Sequence, residues 1–156
     1  MPQRSAGLLV YRRRGTTEML LAHPGGPFWK GKDLGAWTIP KGLCESGEDA
    51  LVAALREFRE EMGSEAPAGP FAPLGEFKQP GGKVIAVFAV EGDFDCTRLA
   101  SNSFTLEWPP KSGRQQQFPE IDRAAWFALA DARRKILKGQ APILAALMAK
   151  LARSSA

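Results

Sequence analysis

One segment of this 156-residue sequence, residues 46–63, constrains the fold more than any other. Four apolar residues recur there at helical spacing and form one stripe, namely Leu51, Leu55, Phe58 and Met62. Ser46 is a suitable N-cap with Asp49 at the capping-box position and Glu48 in the first turn, and Gly63 is a suitable C-cap. The segment therefore predicts an amphipathic α-helix that buries one face.

The same helix carries three glutamates on a second face. At about 100° per residue, Glu57, Glu60 and Glu61 fall within roughly 100° of one another, well away from the apolar stripe. Carboxylates at these spacings repel each other, and oxygen ligands without nearby His or Cys suit Mg²⁺ or Mn²⁺. A solvated surface in which Arg56 pairs with Glu60 and Arg59 with other carboxylates is the alternative. Helix-surface statistics alone favour that alternative.

A longer pattern around the helix favours the metal site. Its fixed positions read Gly-x5-Glu-x7-Arg-Glu-apolar-x-Glu-Glu-x-Gly and are occupied by Gly42, Glu48, Arg56, Glu57, Glu60, Glu61 and Gly63. This pattern resembles the Nudix box, so the chain is similar to Nudix hydrolases. The sequence departs from the box at Ser64, where an apolar residue is expected, and this should only loosen the helix end. The resemblance implies an α+β fold in which a mixed β-sheet is sandwiched between α-helices, an αβα sandwich.

The resemblance also implies roles for individual residues. The expected ligands of Mg²⁺ or Mn²⁺ are the carboxylates of Glu57, Glu60 and Glu61 and the carbonyl of Gly42. Arg56 would hold a catalytic glutamate in orientation, with Glu48 beside it. The base that activates water would be Glu57 or a later loop carboxylate, for which Glu120 is the candidate. For Glu120, an ordinary solvated carboxylate is an equal alternative.

Residues outside the helix are candidates for substrate contacts, namely Lys41, Lys111, Arg114 and Trp108. The sequence Pro40-Lys41-Gly42 replaces the commoner Pro-Gly-Gly and resembles the diadenosine and diphosphoinositol polyphosphate hydrolases. A lysine there could bind an extra phosphate as a point charge, or be an ordinary surface lysine. Lys111 and Arg114 lie in a polar stretch, 109–117, that is predicted to be a functional loop beside Trp108.

The rest of the chain predicts short strands and two further helices. Strands are expected at 6–11, 19–22, 36–39, 74–78, 83–90 and 103–108, and helices at 129–137 and 141–151. The last helix could pack on the sheet or serve a homodimer, and packing inward is favoured. Because no repeat or linker interrupts the pattern, we expect residues 1–156 to form a single Nudix hydrolase domain.

The composition limits the kinds of ligand, metal site and cellular location that the chain is expected to have. Lys and Arg number 21 and Asp and Glu 17, and the net charge of +4 suits an anionic ligand or is an ordinary charge that keeps the protein in solution. It is too weak to predict a nucleic-acid partner. Two distant cysteines argue against structural zinc or a disulfide scaffold. No apolar run reaches the length of a membrane span, so we expect a cytoplasmic protein.

The resemblance to Nudix hydrolases implies one of two functions. The first is divalent-metal-dependent hydrolysis of the pyrophosphate linkage in a nucleoside diphosphate derivative, by attack of water at phosphorus. Nucleoside triphosphates and dinucleoside polyphosphates are the favoured substrates. The alternative is a catalytically silent Nudix-fold module that binds nucleotides or RNA. The complete set of box glutamates favours the enzyme.

Overall fold

The structure is a computed structural model and describes residues 3–154. Within this range the regular elements are β1 (Arg4–Arg14), β2 (Thr16–Pro24), β3 (Lys41–Leu43), α1 (Ala50–Met62), β4 (Ala72–Lys78), β5 (Val84–Glu91), β6 (Ser103–Glu107), β7 (Gln115–Pro119), β8 (Ile121–Ala128), α2 (Leu129–Lys135) and α3 (Ala141–Ser154). Among the described residues, no helix is both long and apolar enough to cross a membrane.

The main sheet is mixed. Its strands lie in the order β4-β5-β1-β2-β8, and β3 also pairs with β1. Strands β1 and β5 run parallel with Arg4 opposite Val84, whereas the other pairs are antiparallel. Strands β6 and β7 form a separate antiparallel hairpin.

Both faces of the sheet are covered by helices. Leu8 and Val10 of β1 pack in one cluster with Phe58 of α1. The intervening Leu9 packs on the opposite face in a cluster that includes Leu147 of α3. Because a strand buried on both faces needs apolar residues at successive positions, the run at the start of β1 has no polar alternation. The predicted αβα sandwich is confirmed.

The prediction of a strand at 36–39 is wrong. This stretch is buried but joins its neighbours only through isolated bridges, Ala22 with Thr38 and Trp37 with Ile136. Pro40 lacks the N–H that a continuous ladder would need. The regular strand, β3, therefore begins after the proline and carries Gly42.

The predicted start of the central helix is also wrong. Helix α1 begins after Asp49, not Ser46, because the Asp49 carboxylate accepts hydrogen bonds from the backbone N–H groups of Leu51 and Val52 at 3.1 and 3.2 Å. At the other end, Gly63 adopts φ +81° and donates to the Arg59 carbonyl, so the predicted C-cap is confirmed. Ending the helix there keeps the three glutamates in its last turns.

The polar loop predicted at 109–117 is shorter than expected. Residues from Gln115 onward form β7, which pairs with β6 so that Glu107 lies opposite Gln115. The run of glutamines has no alternation of apolar and polar residues. This strand therefore forms through backbone pairing with β6 rather than through burial of one face. Phe104 and Phe118 lie opposite each other with ring centroids 5.9 Å apart. The resulting β6–β7 hairpin is paired separately from the main sheet.

Candidate active site

The glutamates of α1 face the short strand β3. Glu61 is buried at 8% exposure, and Glu57 and Glu60 are half-buried. The Glu57 carboxylate lies directly against Gly42, where an added Cβ would overlap it. The absence of a side chain at Gly42 therefore allows the close approach of β3 to the acidic face of the helix.

Arg56 connects these carboxylates. Its Nη1 donates to Glu57 Oε1 at 2.9 Å and to Glu60 Oε2 at 3.4 Å. Its Nε and Nη2 each donate to the Glu48 carboxylate at 2.9 Å, and Nη2 also donates to the Leu43 carbonyl at 3.0 Å. The paired guanidinium lowers the pKa of Glu48 to about 2. Arg56 thus fixes the loop before α1 through Glu48 and contacts two of the three helix glutamates, Glu57 and Glu60.

The carboxylates of the site repel one another. Burial raises the pKa of Glu61 to about 8, with further contributions from the negative charges of Glu57 and Glu120. Burial also raises the pKa of Glu57, and Glu60 and Glu120 add to it. Partial burial and the charge of Glu60 raise the pKa of Glu120. Glu120, far away in sequence, therefore shares one electrostatic environment with the three box glutamates.

Glu120 is held at the junction of β7 and β8 by its backbone. Its N–H donates to the Asn102 carbonyl, and its own carbonyl accepts from the Gly25 N–H, both at 2.8 Å. An added Cβ at Gly25 would overlap the carbonyl of Pro119. A glycine at position 25 therefore lets the loop after β2 pack against the segment that presents Glu120.

A cavity of about 260 Å³ opens between these groups. Lys41, Glu61 and Glu120 provide its charged lining, beside Trp29 and Ile121. The Lys41 charge lowers the pKa of Glu61 and so opposes the effect of burial. The cavity combines one cation with carboxylates, an arrangement that can hold a phosphate group next to a proton acceptor.

The donor chemistry of the site fits a hard divalent cation. Within residues 3–154, the structure shows no group of three or more His, Cys, Asp or Glu side chains arranged to hold a metal ion. The Arg56 guanidinium instead contacts Glu57 and Glu60. Burial is the main cause of the raised pKa values of Glu57 and Glu61, and the negative charges of neighbouring glutamates add to it. Carboxylate oxygens of this kind suit Mg²⁺ or Mn²⁺.

The other residues expected to contact substrate lie apart from this cavity. Trp108 is half-buried at the end of β6, and Lys111 and Arg114 are exposed on the turn of the β6–β7 hairpin. Within the described part of the chain, neither Lys111 nor Arg114 makes a side-chain hydrogen bond or ion pair with the box glutamates. Of the predicted substrate residues, only Lys41 lines the cavity with Glu61.

Sequence reasoning predicts a loop between β2 and β3 but does not place it in the site. This loop brings Trp29 into the cavity and leaves Phe28 exposed. It is anchored by the buried His23, whose Nδ1 lies 2.8 Å from Asp122 Oδ1 and whose Nε2 lies 2.7 Å from the Lys32 carbonyl. The signal was present in the run Pro24–Trp29, which places two aromatic residues after two glycines and two prolines.

A comparison with protein families identifies the family of the chain. The family model described as NUDIX domain matches residues 1–147. The chain therefore belongs to the Nudix family, and the resemblance seen in the box is confirmed.

Curated relatives match the chain over part of its length. The bis(5'-nucleosyl)-tetraphosphatase [asymmetrical] of Mus musculus is 38% identical over 73 residues, which are 42% of this chain and 46% of that protein. The protein of the same name from Caenorhabditis elegans is 40% identical over 62 residues, 39% of this chain and 41% of that protein. The match thus spans less than half of each relative.

Solved structures share the fold over nearly the whole chain. A crystal structure of a C. elegans Ap4A hydrolase binary complex has a TM-score of 0.65 at 24% identity and covers 95% of this chain and 98% of that one. The NUDIX domain of Shewanella oneidensis NrtR, complexed with ADP ribose, has a TM-score of 0.65 at 14% identity and covers 97% and 89%. At these identities the likeness concerns the fold.

The buried Glu61 should make the metal-free protein less stable at high pH. Its pKa is about 8 in the folded state and near 4.5 in an unfolded chain, so between these values the folded state holds a proton that the unfolded state has released. Stability therefore falls as the pH rises through this window, by about 1.4 kcal/mol for each pKa unit and a few kcal/mol in total. Denaturant unfolding in EDTA should show this loss in the wild type and a flatter profile in Glu61→Gln.

The control is Glu76→Gln, which removes an exposed carboxylate on β4. This variant should follow the wild-type pH profile, because Glu76 is exposed and lies outside the candidate site. Parallel profiles for the wild type and Glu61→Gln would contradict the burial argument.

Proposed function

We propose that this chain hydrolyses the pyrophosphate linkage of a nucleoside diphosphate derivative, with Mg²⁺ or Mn²⁺ bound by Glu57, Glu60, Glu61 and the Gly42 carbonyl. Nucleoside triphosphates and dinucleoside polyphosphates are the favoured substrates. The observation that carries the proposal is the cavity lined by Lys41, Glu61 and Glu120. Beside it, burial and the negative charges of Glu60 and Glu120 raise the pKa of Glu57. Membership of the Nudix family and the tetraphosphatase relatives support it.

Different residues of the chain bind the substrate and orient the carboxylate in this mechanism. Mg²⁺ held by the three helix glutamates and the Gly42 carbonyl would neutralise charge at the phosphate oxygens and would make the attacking water more acidic. Lys41 attracts a substrate phosphate into the cavity. Arg56 keeps the Glu57 carboxylate in one orientation through their 2.9 Å hydrogen bond.

A carboxylate then takes the proton of the attacking water. Glu57 and Glu120 both have a raised pKa, and this makes each a better proton acceptor than an ordinary carboxylate near neutral pH. Glu57 is fixed against Gly42, whereas Glu120 is exposed and positioned by its backbone. We favour Glu57 as the base and keep Glu120 as the competing candidate.

We also propose that the whole chain acts as one Nudix domain. Six strands, from β1 at the start of the chain to β8 near its end, share the main sheet, and α3 packs in the same core as β1. A site assembled from β3, α1 and the β7–β8 junction then depends on the sheet as a whole.

The test is product analysis across nucleoside triphosphates and dinucleoside polyphosphates in ¹⁸O-labelled water. We expect nucleotide or phosphate release that requires Mg²⁺ or Mn²⁺, stops in EDTA and returns when the metal is restored. The labelled oxygen in the products identifies the phosphorus that is attacked. Tight nucleotide or RNA binding without turnover of any substrate would replace this proposal with the silent binding module.

A further inference from the structure

Strand β8 leaves one edge of the main sheet open. It pairs with β2 on one side and stands last in the strand order, and no other described strand pairs with its second side. At the opposite border of the sheet, β4 carries Pro73 and a register shift before Gly75, and such features discourage the addition of a further strand. Strand β8 has no proline, and the register shift in its pairing lies before Arg123. Its edge is therefore not protected in this way.

The backbone of Ala124 points to the open edge. Ala22 exchanges both of its backbone hydrogen bonds with Thr38, on the far side of β2, at 2.8 Å. The pair of Ala22 and Ala124 is therefore not hydrogen-bonded, so the N–H and C=O of Ala124 face outward. The same alternation turns the backbone of Trp126 outward and that of Ala125 toward β2. In the described part of the chain, no other segment bonds to the backbone of Ala124 or Trp126, so both can pair with a further strand.

A groove of about 600 Å³, here called the edge groove, lies along this edge. Four successive residues of β8, 122–125, line it, and successive side chains of a strand point to opposite faces of the sheet. Cys96 and Leu99 form the wall on the face covered by α1, and Trp37 and Phe127 the wall on the face covered by α3. An open strand edge between two side-chain walls is suited to bind an extended peptide by strand addition.

The charge that is left without a close partner in the edge groove is positive. Both acidic side chains of its lining are engaged, since Asp33 pairs with Lys135 and Asp122 lies 2.8 Å from His23 Nδ1. The Arg123 side chain is 55% exposed, and its Nε lies 3.7 Å from the Asp122 carboxylate, beyond hydrogen-bond distance. The guanidinium can therefore pair with an acidic side chain of a bound peptide.

A second copy of the chain fits this edge less well than an acidic peptide. If two β8 strands paired antiparallel about Ala124, their Arg123 side chains would be diagonal neighbours on one face of the joined sheet. Like charges on neighbouring strands repel, and each copy carries a net charge of +4. An acidic peptide meets the same backbone edge without this repulsion.

We propose that the edge groove binds an extended acidic segment of a partner protein as an additional strand of the sheet. The backbone of this segment pairs with Ala124 and Trp126. One of its acidic side chains reaches Arg123, and an apolar side chain on the other face lies against Leu99. This interaction is separate from the proposed hydrolysis, because none of the box glutamates lines the edge groove.

The probe is the peptide acetyl-Thr-Val-Glu-Val-Glu-Val-Thr-amide, in which acidic and β-branched residues alternate. NMR titration of the full chain should give a Kd below about 1 mM. Amide hydrogen exchange at Ala124 and Trp126 should be fast in the free protein and slow when the peptide is bound. A peptide with lysine in place of glutamate should bind roughly tenfold more weakly. A peptide with proline in place of valine keeps the charges but cannot form a regular strand, and it should leave the exchange fast.

Two variants test whether the peptide binds at β8. Ala124→Pro removes an outward N–H and keeps the ladder with β2, so it should stay folded and lose peptide binding. Arg123→Gln should bind the glutamate and lysine peptides with similar affinity. The matched control is Arg133→Gln, which should keep the wild-type preference because Arg133 is exposed on α2 and does not line the edge groove. Thermal melting checks folding, and Arg123→Gln keeps the test decisive if Ala124→Pro does not fold.

Several outcomes would overturn the inference. Slow exchange at Ala124 in the free monomer would show that the edge is already covered. Failure of the glutamate peptide to bind, or equal binding of all three peptides, would remove strand addition by an acidic segment. An unchanged preference in Arg123→Gln would place the charge recognition elsewhere. Protection of Ala124 that rises with protein concentration, together with a dimer in sedimentation, would assign the edge to a second copy.

Discussion

Replacing Glu57 by glutamine is expected to lower the turnover of a pyrophosphate substrate about 1,000-fold. The amide keeps the size of the carboxylate and its place against Gly42, but it can neither accept a proton nor bind a divalent cation as strongly. Steady-state rates at saturating Mg²⁺ measure the loss. Thermal melting should show a folded protein, since the change removes one of several mutually repelling charges.

Glu120→Gln separates the two candidate bases. If Glu57 is the base, this variant should retain most of the activity, and full activity would remove Glu120 from the mechanism. A loss as large as that of Glu57→Gln would move the base to the loop. The control is Glu65→Gln, which removes an exposed carboxylate beyond the end of α1 that pairs with Arg59 at 3.7 Å.

Wild-type turnover in Glu57→Gln would contradict the proposed site. If Glu65→Gln keeps wild-type turnover and Glu57→Gln loses it, then the position of the carboxylate, and not the loss of a negative charge alone, determines the turnover. The comparison is informative because both carboxylates interact with a neighbouring arginine.

The acidic face of α1 could be predicted from the sequence because it depends on local rules. Helical spacing places Glu57, Glu60 and Glu61 together whatever the rest of the fold does. Gly63 ends the helix in a left-handed conformation that glycine adopts without strain. The helix start was misplaced by three residues because Ser46 and Asp49 are both good caps, and the loop geometry selects between them.

The parts that depend on tertiary packing could not be predicted in the same way. The shared electrostatic environment of Glu120 and the box arises from backbone hydrogen bonds to Asn102 and Gly25, far apart in sequence. The strand β7 has no apolar alternation, and Phe28 lies in a loop whose course is fixed by contacts of His23. Each of these features requires the sheet and the hairpin to be assembled first.

A single methyl group at Gly42 should lower turnover about 100-fold while leaving the fold intact. The added Cβ of Gly42→Ala would overlap the Glu57 carboxylate. The backbone of Gly42 does not have the positive φ that would strain an alanine. The obstructed atoms are the end of a flexible side chain, so the carboxylate moves and the strand does not. A displacement of about 1 Å can cost roughly 100-fold in rate, and steady-state kinetics should show a loss of this order.

The matched control for Gly42→Ala is Leu43→Ala, which shortens an exposed side chain at the next position of β3. It should retain wild-type turnover, because Arg56 contacts only the backbone carbonyl of Leu43. The melting temperatures of the two variants should be similar. Wild-type turnover in Gly42→Ala would show that the contact between Glu57 and Gly42 is not needed for catalysis. A large loss of stability in Gly42→Ala alone would show that the backbone of β3 moves, and the argument from the flexible carboxylate would then be wrong.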